Sequence, residues 1–269
     1  MLPAREVARV MLPFYSPLVT VVIPSMNQGR FLEKALDSIF SQNIPVEVFV
    51  IDGGSTDETL SIINRWEDRI SGWRSYPDLG QSSAINEGVA WGRAPYVCWI
   101  NSDDWMLPGS LEVLIRALDA NPTSPAVYGQ VLSYHQNSGK ENYVWVEKFS
   151  KNRLSIRCII SQPGTLIRRS AWEAVNGLDA SLFMAMDYDL WWRLFITIGP
   201  LKYIDKLVAV NREHSETKTK NFRLKHYVEA MKIVKKYNGY LPIKWWLLQP
   251  YSIWFKSLKN ICYKFFRME

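Results

Sequence analysis

Two adjacent carboxylates, Asp103 and Asp104, close the run Asn101-Ser102-Asp103-Asp104, directly after the apolar stretch Tyr96–Ile100. A short apolar run of this kind reads as a buried strand, so both carboxylates fall where that strand opens into a loop. Side by side, two anions repel. A hard divalent cation such as Mg2+ or Mn2+ relieves the repulsion, because it takes carboxylate and phosphate oxygens and bridges protein to a diphosphate. A capped turn ahead of Pro108 accounts for the same four residues equally well. Asp52 and Asp78 also follow strand-like stretches, with Gly53-Gly54 and Gly80 beside them to give the backbone room to approach a ligand. Acceptor side chains there suit a nucleobase N–H and ribose hydroxyls. An ordinary turn and helix start explains Asp52-Gly-Gly-Ser55 as readily, and Asp57 reads as a structural helix-start residue.

The elements that must position these residues follow from hydrophobic periodicity. Val19–Ile23 reads as a strand, and Phe31, Leu32, Ala35, Leu36, Ile39 and Phe40 recur at helical spacing. Val46–Ile51 is the next strand, and Ser55 with Glu58 three residues on predicts a capping box and a helix from Ser55. A weak strand near Trp73–Tyr76, a helix over Ser83–Trp91, the strand Tyr96–Ile100 and a helix over Pro108–Ala120 follow. This alternation predicts an α/β fold with a mostly parallel central sheet covered by helices on both faces. Ligands of such sheets bind beyond the carboxyl ends of the strands. Asn27, Asp52, Asp103 and Asp104 are therefore expected to converge there.

Further along, Val127–Tyr134 and Tyr143–Val146 predict a hairpin around Gln136-Asn137-Ser138-Gly139. A strand near Thr165–Ile167, a short helix from Ala171, a Trp-rich helix over Asp189–Ile198 and a closing strand over Leu201–Val210 come next. From Asn221 the pattern is helical and basic, with Leu224, Tyr227, Val228, Met231 and Val234 expected on one face. The domain reading is a lead-in over 1–16, a catalytic body over 17–217 with halves at 17–122 and 123–217, and a helical tail over 218–269.

With 269 residues, 48% of them hydrophobic, the chain can bury one substantial core. Its net charge of +6 hides an asymmetry: residues 218–269 hold 12 Lys/Arg against 2 Asp/Glu, and the rest of the chain holds 20 against 24. Cys98, Cys158 and Cys262 are odd in number and widely spaced, which supports neither a disulfide framework nor a zinc knuckle and fits a reducing compartment. The first residues lack a secretory-signal pattern, and no stretch of about 20 apolar residues predicts a spanning helix. Pro24-Ser-Met-Asn-Gln-Gly29 offers one glycine after the first strand, against both a dinucleotide-binding fingerprint and the Gly-rich basic loop of a sugar-1-phosphate nucleotidyltransferase.

Seven ordered segments carry a resemblance. They are Val21-Val-Ile-Pro24 with Asn27, Ile51-Asp-Gly-Gly-Ser-Thr-Asp57, Asp78-Leu-Gly-Gln81 with Ala84-Ile-Asn86-Glu-Gly88, Trp99-Ile-Asn-Ser-Asp-Asp104, Gln162-Pro-Gly-Thr165, Gly177-Leu-Asp179, and Met186-Asp-Tyr-Asp-Leu-Trp-Trp-Arg193. Together, over roughly residues 17–215, the chain resembles the family 2 glycosyltransferases of the GT-A fold. The resemblance implies an inverting sugar transfer from a nucleoside-diphosphate sugar, with a UDP-sugar favoured, to a hydroxyl of a glycan or lipid-linked acceptor in cell-surface polysaccharide synthesis. It also implies that Pro24, Asn27, Asp52, Asp78, Ser102 and Asp103 line the nucleotide site, that Asp103 and Asp104 hold Mg2+ or Mn2+, and that Asp187 is the catalytic base. Asn101 stands where the family often has Asp, and Met186 where it often has Glu. His214 follows the last core strand, where it suits a metal or diphosphate contact and an ordinary surface residue equally. Asp187 also suits a helix N-cap, a role compatible with base catalysis. Trp191, on the same helix, is the candidate acceptor contact, whereas Trp192 and Arg193 read as core packing and a salt bridge.

In the tail, Trp245, Trp246, Tyr251, Trp254, Phe255, Tyr263, Phe265 and Phe266 interleave with Lys244, Lys256, Lys259, Lys264 and Arg267. Amphipathic aromatics and cations together suit the interface of an anionic bilayer, so a cytoplasmic protein with peripheral membrane association and no nucleic-acid partner is expected. A helical pair packed on the body is the alternative for the tail. A non-catalytic membrane- or nucleic-acid-binding module is the alternative for the whole chain.

Overall fold

The computed structural model describes residues 16–249. The lead-in over 1–15 and the tail positions Tyr251, Trp254, Phe255, Lys256, Lys259, Cys262, Tyr263, Lys264, Phe265, Phe266 and Arg267 lie outside the described residues. In chain order the first half runs β1 (Val19–Ser25), α1 (Gly29–Phe40), β2 (Val46–Asp52), α2 (Thr59–Arg65), β3 (Gly72–Ser75), α3 (Gln81–Trp91), β4 (Tyr96–Trp99), β5 (Trp105–Met106) and α4 (Ser110–Asp119). The second half runs β6 (Ala126–His135), β7 (Lys140–Tyr143), α5 (Lys151–Ile156), β8 (Thr165–Arg168), α6 (Arg169–Ala174), α7 (Met186–Thr197), β9 (Lys202–Glu213), α8 (Lys218–Asn221), α9 (Arg223–Asn238) and α10 (Ile243–Gln249).

The strands form one nine-stranded sheet in the order β3-β2-β1-β4-β8-β6-β9-β5, with β7 paired to β6. From β3 to β4 every pairing is parallel. The remainder is mixed: β8 runs antiparallel to β4 and β6, while β6 and β9 pair in parallel through a bulged register. Alternation along each strand divides the core into two layers. Val19, Val21 and Ile23, with Val48, Val50 and Cys98, face Leu32, Leu36, Ile39, Leu111 and Leu114 of α1 and α4. Val22, Phe49, Ile51, Val97 and Trp99 point the other way, into a layer shared with Ile85, Trp172, Trp191, Trp192, Ile233 and Val234. A Cβ on Gly88 of α3 would come within 2.6 Å of Val22 Cγ1, so this glycine sets how closely α3 lies on β1.

Two expectations change, and one pair of alternatives resolves. Helix α2 starts at Thr59 rather than Ser55, because the Ser55 hydroxyl is engaged with Asp52 and the Asn27 N–H. Asp57 instead accepts from the Thr59 N–H at 3.0 Å and the Gly29 N–H at 3.0 Å, joining the starts of α1 and α2. The first part of the tail takes the packed alternative: Ala230, Ile233, Val234 and Trp245 are buried in the core, and Tyr237 stacks on Trp192 at 6.2 Å. Finally, the expected face of α9 is rotated. Tyr227, Met231 and Val234 turn inward with Ala230 and Ile233, but Leu224 and Val228 are exposed.

Candidate active site

The parallel half of the sheet delivers its polar residues to one edge. Pro24 is buried in β1 opposite Ile51, and one step on Ser25 sits opposite Asp52. The chain then turns at Asn27, whose φ of 52° lies in the left-handed region that Asn tolerates better than most side chains. Asn27 Oδ1 accepts the Thr56 N–H at 2.8 Å, and its own N–H donates to Ser55 Oγ at 2.7 Å. Asp52 is fully buried and acts as the hub of its loop. Its carboxylate accepts from the Gly54 N–H, the Ser55 N–H, the Ser55 hydroxyl and the Ser75 hydroxyl at 2.5–3.0 Å. With those lone pairs committed, Asp52 shapes this edge of the sheet through the backbone it holds. Arg74 extends this frame by donating to the Asp52 and Tyr76 carbonyls and pairing with Asp78 at 3.0 Å and Glu87 at 2.7 Å. Asp78 also accepts from the Gly80 N–H, ahead of α3.

Beyond β4 the two carboxylates have different surroundings. Asp104 is 1% exposed. Its Oδ1 accepts the Arg212 N–H at 2.9 Å and its Oδ2 accepts the Asn101 amide at 3.1 Å and the Asn211 amide at 3.5 Å. Burial, and then the neighbouring Asp103 charge, push its carboxyl well above the ordinary carboxylate range, while those donors pull the other way. Of the two aspartates expected to hold a metal, Asp104 is the enclosed one, with a donor on each oxygen. Asp103 is more open, and its Oδ2 lies 3.0 Å from His214 Nε2. The Arg212 guanidinium donates to the Asp103 carbonyl and lies over the rings of Phe31 and Trp105, each at 4.7 Å. Ser102 is buried and its hydroxyl reaches Gln28 Oε1 at 3.3 Å.

The Asp103–His214 spacing fits a divalent ion, since adjacent ligands of an octahedral cation with bonds of about 2.1 Å lie roughly 3 Å apart. The described residues hold no group of three or more His, Cys, Asp or Glu able to hold a metal. If a divalent ion were held there, phosphate oxygens and water would have to supply the rest of its shell, as is usual for Mg2+ at nucleotide sites. His214 Nδ1 accepts a 3.3 Å contact from the Glu216 N–H, an arrangement that leaves the ring proton on Nε2. Ligation through Nε2 requires that proton to move to Nδ1 and the long Glu216 contact to open.

Asp187 approaches from the other half of the molecule. It is the second residue of α7, whose N-cap is Ala185, so the N-cap reading of Asp187 is corrected by two residues. Its carboxylate accepts only the adjacent Tyr188 N–H, at 2.7 Å, and forms no ion pair among the described residues. Burial raises its pKa, with the His226 charge the main opposing influence. Helix α3 joins the two sides. Gln81 Nε2 donates to Asn101 Oδ1 at 2.7 Å, and the neighbouring Ser82 hydroxyl meets Met186 Sδ at 2.8 Å. Lys218 Nζ contacts Gln81 Oε1 at 3.5 Å and donates to the Phe183 carbonyl at 2.9 Å.

Trp191 is not an acceptor contact in this structure: it is fully buried and stacks on Trp99 of β4 at 6.2 Å, which seats α7 on the sheet. Trp192 is core and Arg193 pairs with Asp189 at 2.6 Å, as expected. Sequence reading did not single out Gln28, Gln81, Arg212 or Glu229. Gln28 and Gln81 stood inside the quoted runs. Glu229 had one signal, as the only acidic residue of a helix carrying Arg223, Lys225, Lys232, Lys235 and Lys236.

A parallel half-sheet with an acidic pair at its carboxyl edge, continued by a mixed half that brings an unpaired aspartate alongside, defines the GT-A class of fold. Solved structures agree. The S. aureus TarS 1–349 structure in complex with UDP superposes with a TM-score of 0.63 at 17% identity, covering 81% of this chain and 64% of that one. The mannosyltransferase PcManGT from Pyrobaculum calidifontis, in complex with GDP-Man and Mn2+, gives 0.62 at 20% identity, covering 93% and 71%. In sequence, a chondroitin synthase of Pasteurella multocida is 28% identical over 196 residues, or 71% of this chain. This chain spans only 20% of that protein's length. A Rickettsia typhi glycosyltransferase is 28% identical over 224 residues, 80% of this chain and 70% of its own. The family described as glycosyl transferase family 2 matches residues 20–175, more than half of the chain, and the protein belongs to that family.

Proposed function

We propose that this chain transfers a sugar from a nucleoside-diphosphate sugar to an acceptor hydroxyl, with inversion at the anomeric carbon and Asp187 as the general base. The observation that carries the reading is the contrast between two carboxyls across α3: Asp103 paired with His214, and Asp187 held by a single backbone N–H. A base needs an acceptor oxygen that is not already committed and a pKa raised toward its working range. Asp187 has both. In the reaction the acceptor O–H proton passes to an Asp187 oxygen as the hydroxyl oxygen bonds to the anomeric carbon. The bond from that carbon to the diphosphate oxygen breaks on the opposite side, and the nucleoside diphosphate departs with the electron pair.

Asp103 and His214 would hold Mg2+ or Mn2+, and such an ion supplies charge neutralisation to the departing diphosphate. Arg212 keeps Asp103 in place through its carbonyl, while Asn27, Asp78 and the loop built on Asp52 face the nucleotide. A UDP-sugar is the favoured donor, supported by the TarS structures with UDP and UDP-GlcNAc, although PcManGT was solved with GDP-Man and Mn2+. A glycan or lipid-linked acceptor, in cell-surface polysaccharide synthesis on the cytoplasmic side of an anionic membrane, is supported by relatives such as chondroitin and hyaluronan synthases and by the exposed aromatic and basic C-terminal helices. No helix among the described residues is long and apolar enough to cross a membrane.

The test is nucleoside diphosphate release from UDP-glucose, UDP-N-acetylglucosamine, UDP-glucuronate and GDP-mannose, each with Mg2+ or Mn2+. At least one donor is expected to turn over. Asp187→Asn is expected to cut turnover by 100-fold or more while leaving UDP affinity within threefold. Ordinary turnover in Asp187→Asn would remove the base assignment, and no release from any donor would remove the transferase reading.

A further inference from the structure

The C-terminal helix α9 belongs to the catalytic machinery by contact. The loop entering α7 presents three successive backbone N–H groups, at Phe183, Met184 and Ala185. All three end on the carboxylate of Glu229 from α9, at 3.3, 2.8 and 3.0 Å. Helix α7 has no side-chain N-cap of its own. The first N–H groups of a helix lack intrahelical partners and carry the positive end of its dipole, so an anion at this point is favoured on both counts. Two residues after Ala185 comes Asp187. The same loop is gripped from its carbonyl side, where Lys218 of α8 donates to Phe183 O, and it is tethered one turn further on, where the Tyr237 hydroxyl of α9 donates to Asp189 at 2.8 Å. Trp192 stacked on Tyr237 completes the attachment.

On this geometry we infer that Glu229 is the positioning residue of the catalytic base: by capping the entry to α7 from a separate helix, it fixes where the Asp187 carboxylate stands relative to the bound donor. The inference rests on the reading of Asp187 as the base. Glu229 touches neither donor nor acceptor in this role and acts only through the backbone of residues 183–185. It also lies beyond residues 20–175, where the family match ends. Asp187 lies beyond that match too, so the base and the residue that positions it both come from the segment after it. A displacement of about 1 Å in a reacting group is enough to cost on the order of 100-fold in rate.

The experiment compares Glu229→Ala, Glu229→Asp and Glu229→Gln with the parent and with Asp187→Asn, in the full chain. Initial rates are taken with whichever of UDP-glucose, UDP-N-acetylglucosamine, UDP-glucuronate and GDP-mannose releases its nucleotide fastest. UDP affinity and melting temperature are measured alongside. Glu229→Ala is expected to lower kcat by about 10- to 100-fold with donor KM and UDP affinity unchanged within twofold. Glu229→Asp, which withdraws the carboxylate by one methylene, is expected to lose kcat in the same direction and decides the question if the alanine variant does not fold. Glu229→Gln keeps one oxygen for the Met184 and Ala185 N–H groups and is expected to recover most of the rate. The inference is overturned if folded Glu229→Asp and Glu229→Ala keep kcat within twofold of the parent, or if kcat and UDP affinity fall in the same proportion. Should Asp187→Asn turn over normally, the base reading fails and this inference with it. An inactive Asp187→Asn beside a fully active Glu229→Ala removes the inference alone.

Discussion

Asn101 sits where a third carboxylate would be hardest to hold. Its amide donates to Asp104 Oδ2 and its oxygen accepts from Gln81, so one neutral side chain supports a buried anion and ties it to α3. An aspartate there would face Asp104 with a second charge and no donor. The neighbouring pair divides the work, Asp104 bracing β9 from inside and Asp103 facing the site. Asp104→Ala strips acceptors from the Arg212 N–H and two amides, and is expected to cost about 1–3 kcal/mol in urea unfolding. Asp103→Ala is expected to stay within about 1 kcal/mol of the parent in stability while weakening Mn2+-dependent UDP binding at least tenfold by calorimetry. Equal effects of the two substitutions on both measurements would dissolve the division. The sequence made legible the place of Asp103 beyond the strand β4 and of His214 directly after β9. Which oxygens remain open was not legible, because that depends on Arg212 and Asn211 more than a hundred positions away, as Trp191 depends on Trp99.

Between elements, the contact of α9 with α7 reaches from packing into chemistry. The strand and helix order of the first half followed from periodicity because each element there buries a continuous apolar stripe against a partner close in sequence. Helix α9 carries apolar residues on two faces, and periodicity alone does not say which face a distant helix covers. Leu224 and Val228 lie outward, while Ala230, Ile233 and Val234 lie inward. The short strand β5 and the helix α5 were missed for a related reason: two and six residues give no period to count. Burial raises the Asp187 pKa, and α9 acts against that rise through His226. Asp187 has Cys158 and Tyr188 beside it and the His226 charge on α9, and that charge opposes the rise caused by burial. A raised pKa keeps the carboxyl protonated to higher pH, so kcat should fall on acidification from a higher pH than an ordinary carboxylate would give. His226→Gln removes the opposing charge, raises the Asp187 pKa further and is expected to move the acid limb of the kcat–pH profile to higher pH. At alkaline pH, where the Asp187 carboxyl is ionised in both, parent and variant should converge. An acid limb that stays in place or moves to lower pH would contradict the assignment.

At the scale of the whole molecule, the charge asymmetry has a structural counterpart. The body holds 20 cations against 24 anions, and residues 218–269 hold 12 against 2. Within the described part of that segment the two tryptophans separate: Trp245 is buried and donates to the Ser155 carbonyl at 2.8 Å, whereas Trp246 is 54% exposed. Ile243, Trp246 and Leu247, at i, i+3 and i+4, share one exposed face of α10, next to Lys244 and exposed Tyr240. An apolar face that finds no partner among the described residues, beside an excess of cations, has the composition of an interfacial helix. Each basic residue near an anionic bilayer contributes about 1 kcal/mol, screened by salt, and each large apolar side chain that enters the interface contributes about as much or more. Cutting the chain after Thr219 would be a poor test, since it removes the core residues Ala230, Ile233 and Val234 together with Glu229. Point changes on the outer face avoid that. The parent is expected to co-sediment with phosphatidylglycerol-containing vesicles and not with phosphatidylcholine alone, and to be released by 0.5 M salt on the order of the Debye argument. Replacing Ile243, Trp246 and Leu247 with serine should weaken that binding about tenfold or more and leave melting temperature and UDP affinity unchanged. Equal partition of parent and triple variant, or equal binding to neutral vesicles, would place the function of this basic end away from the membrane.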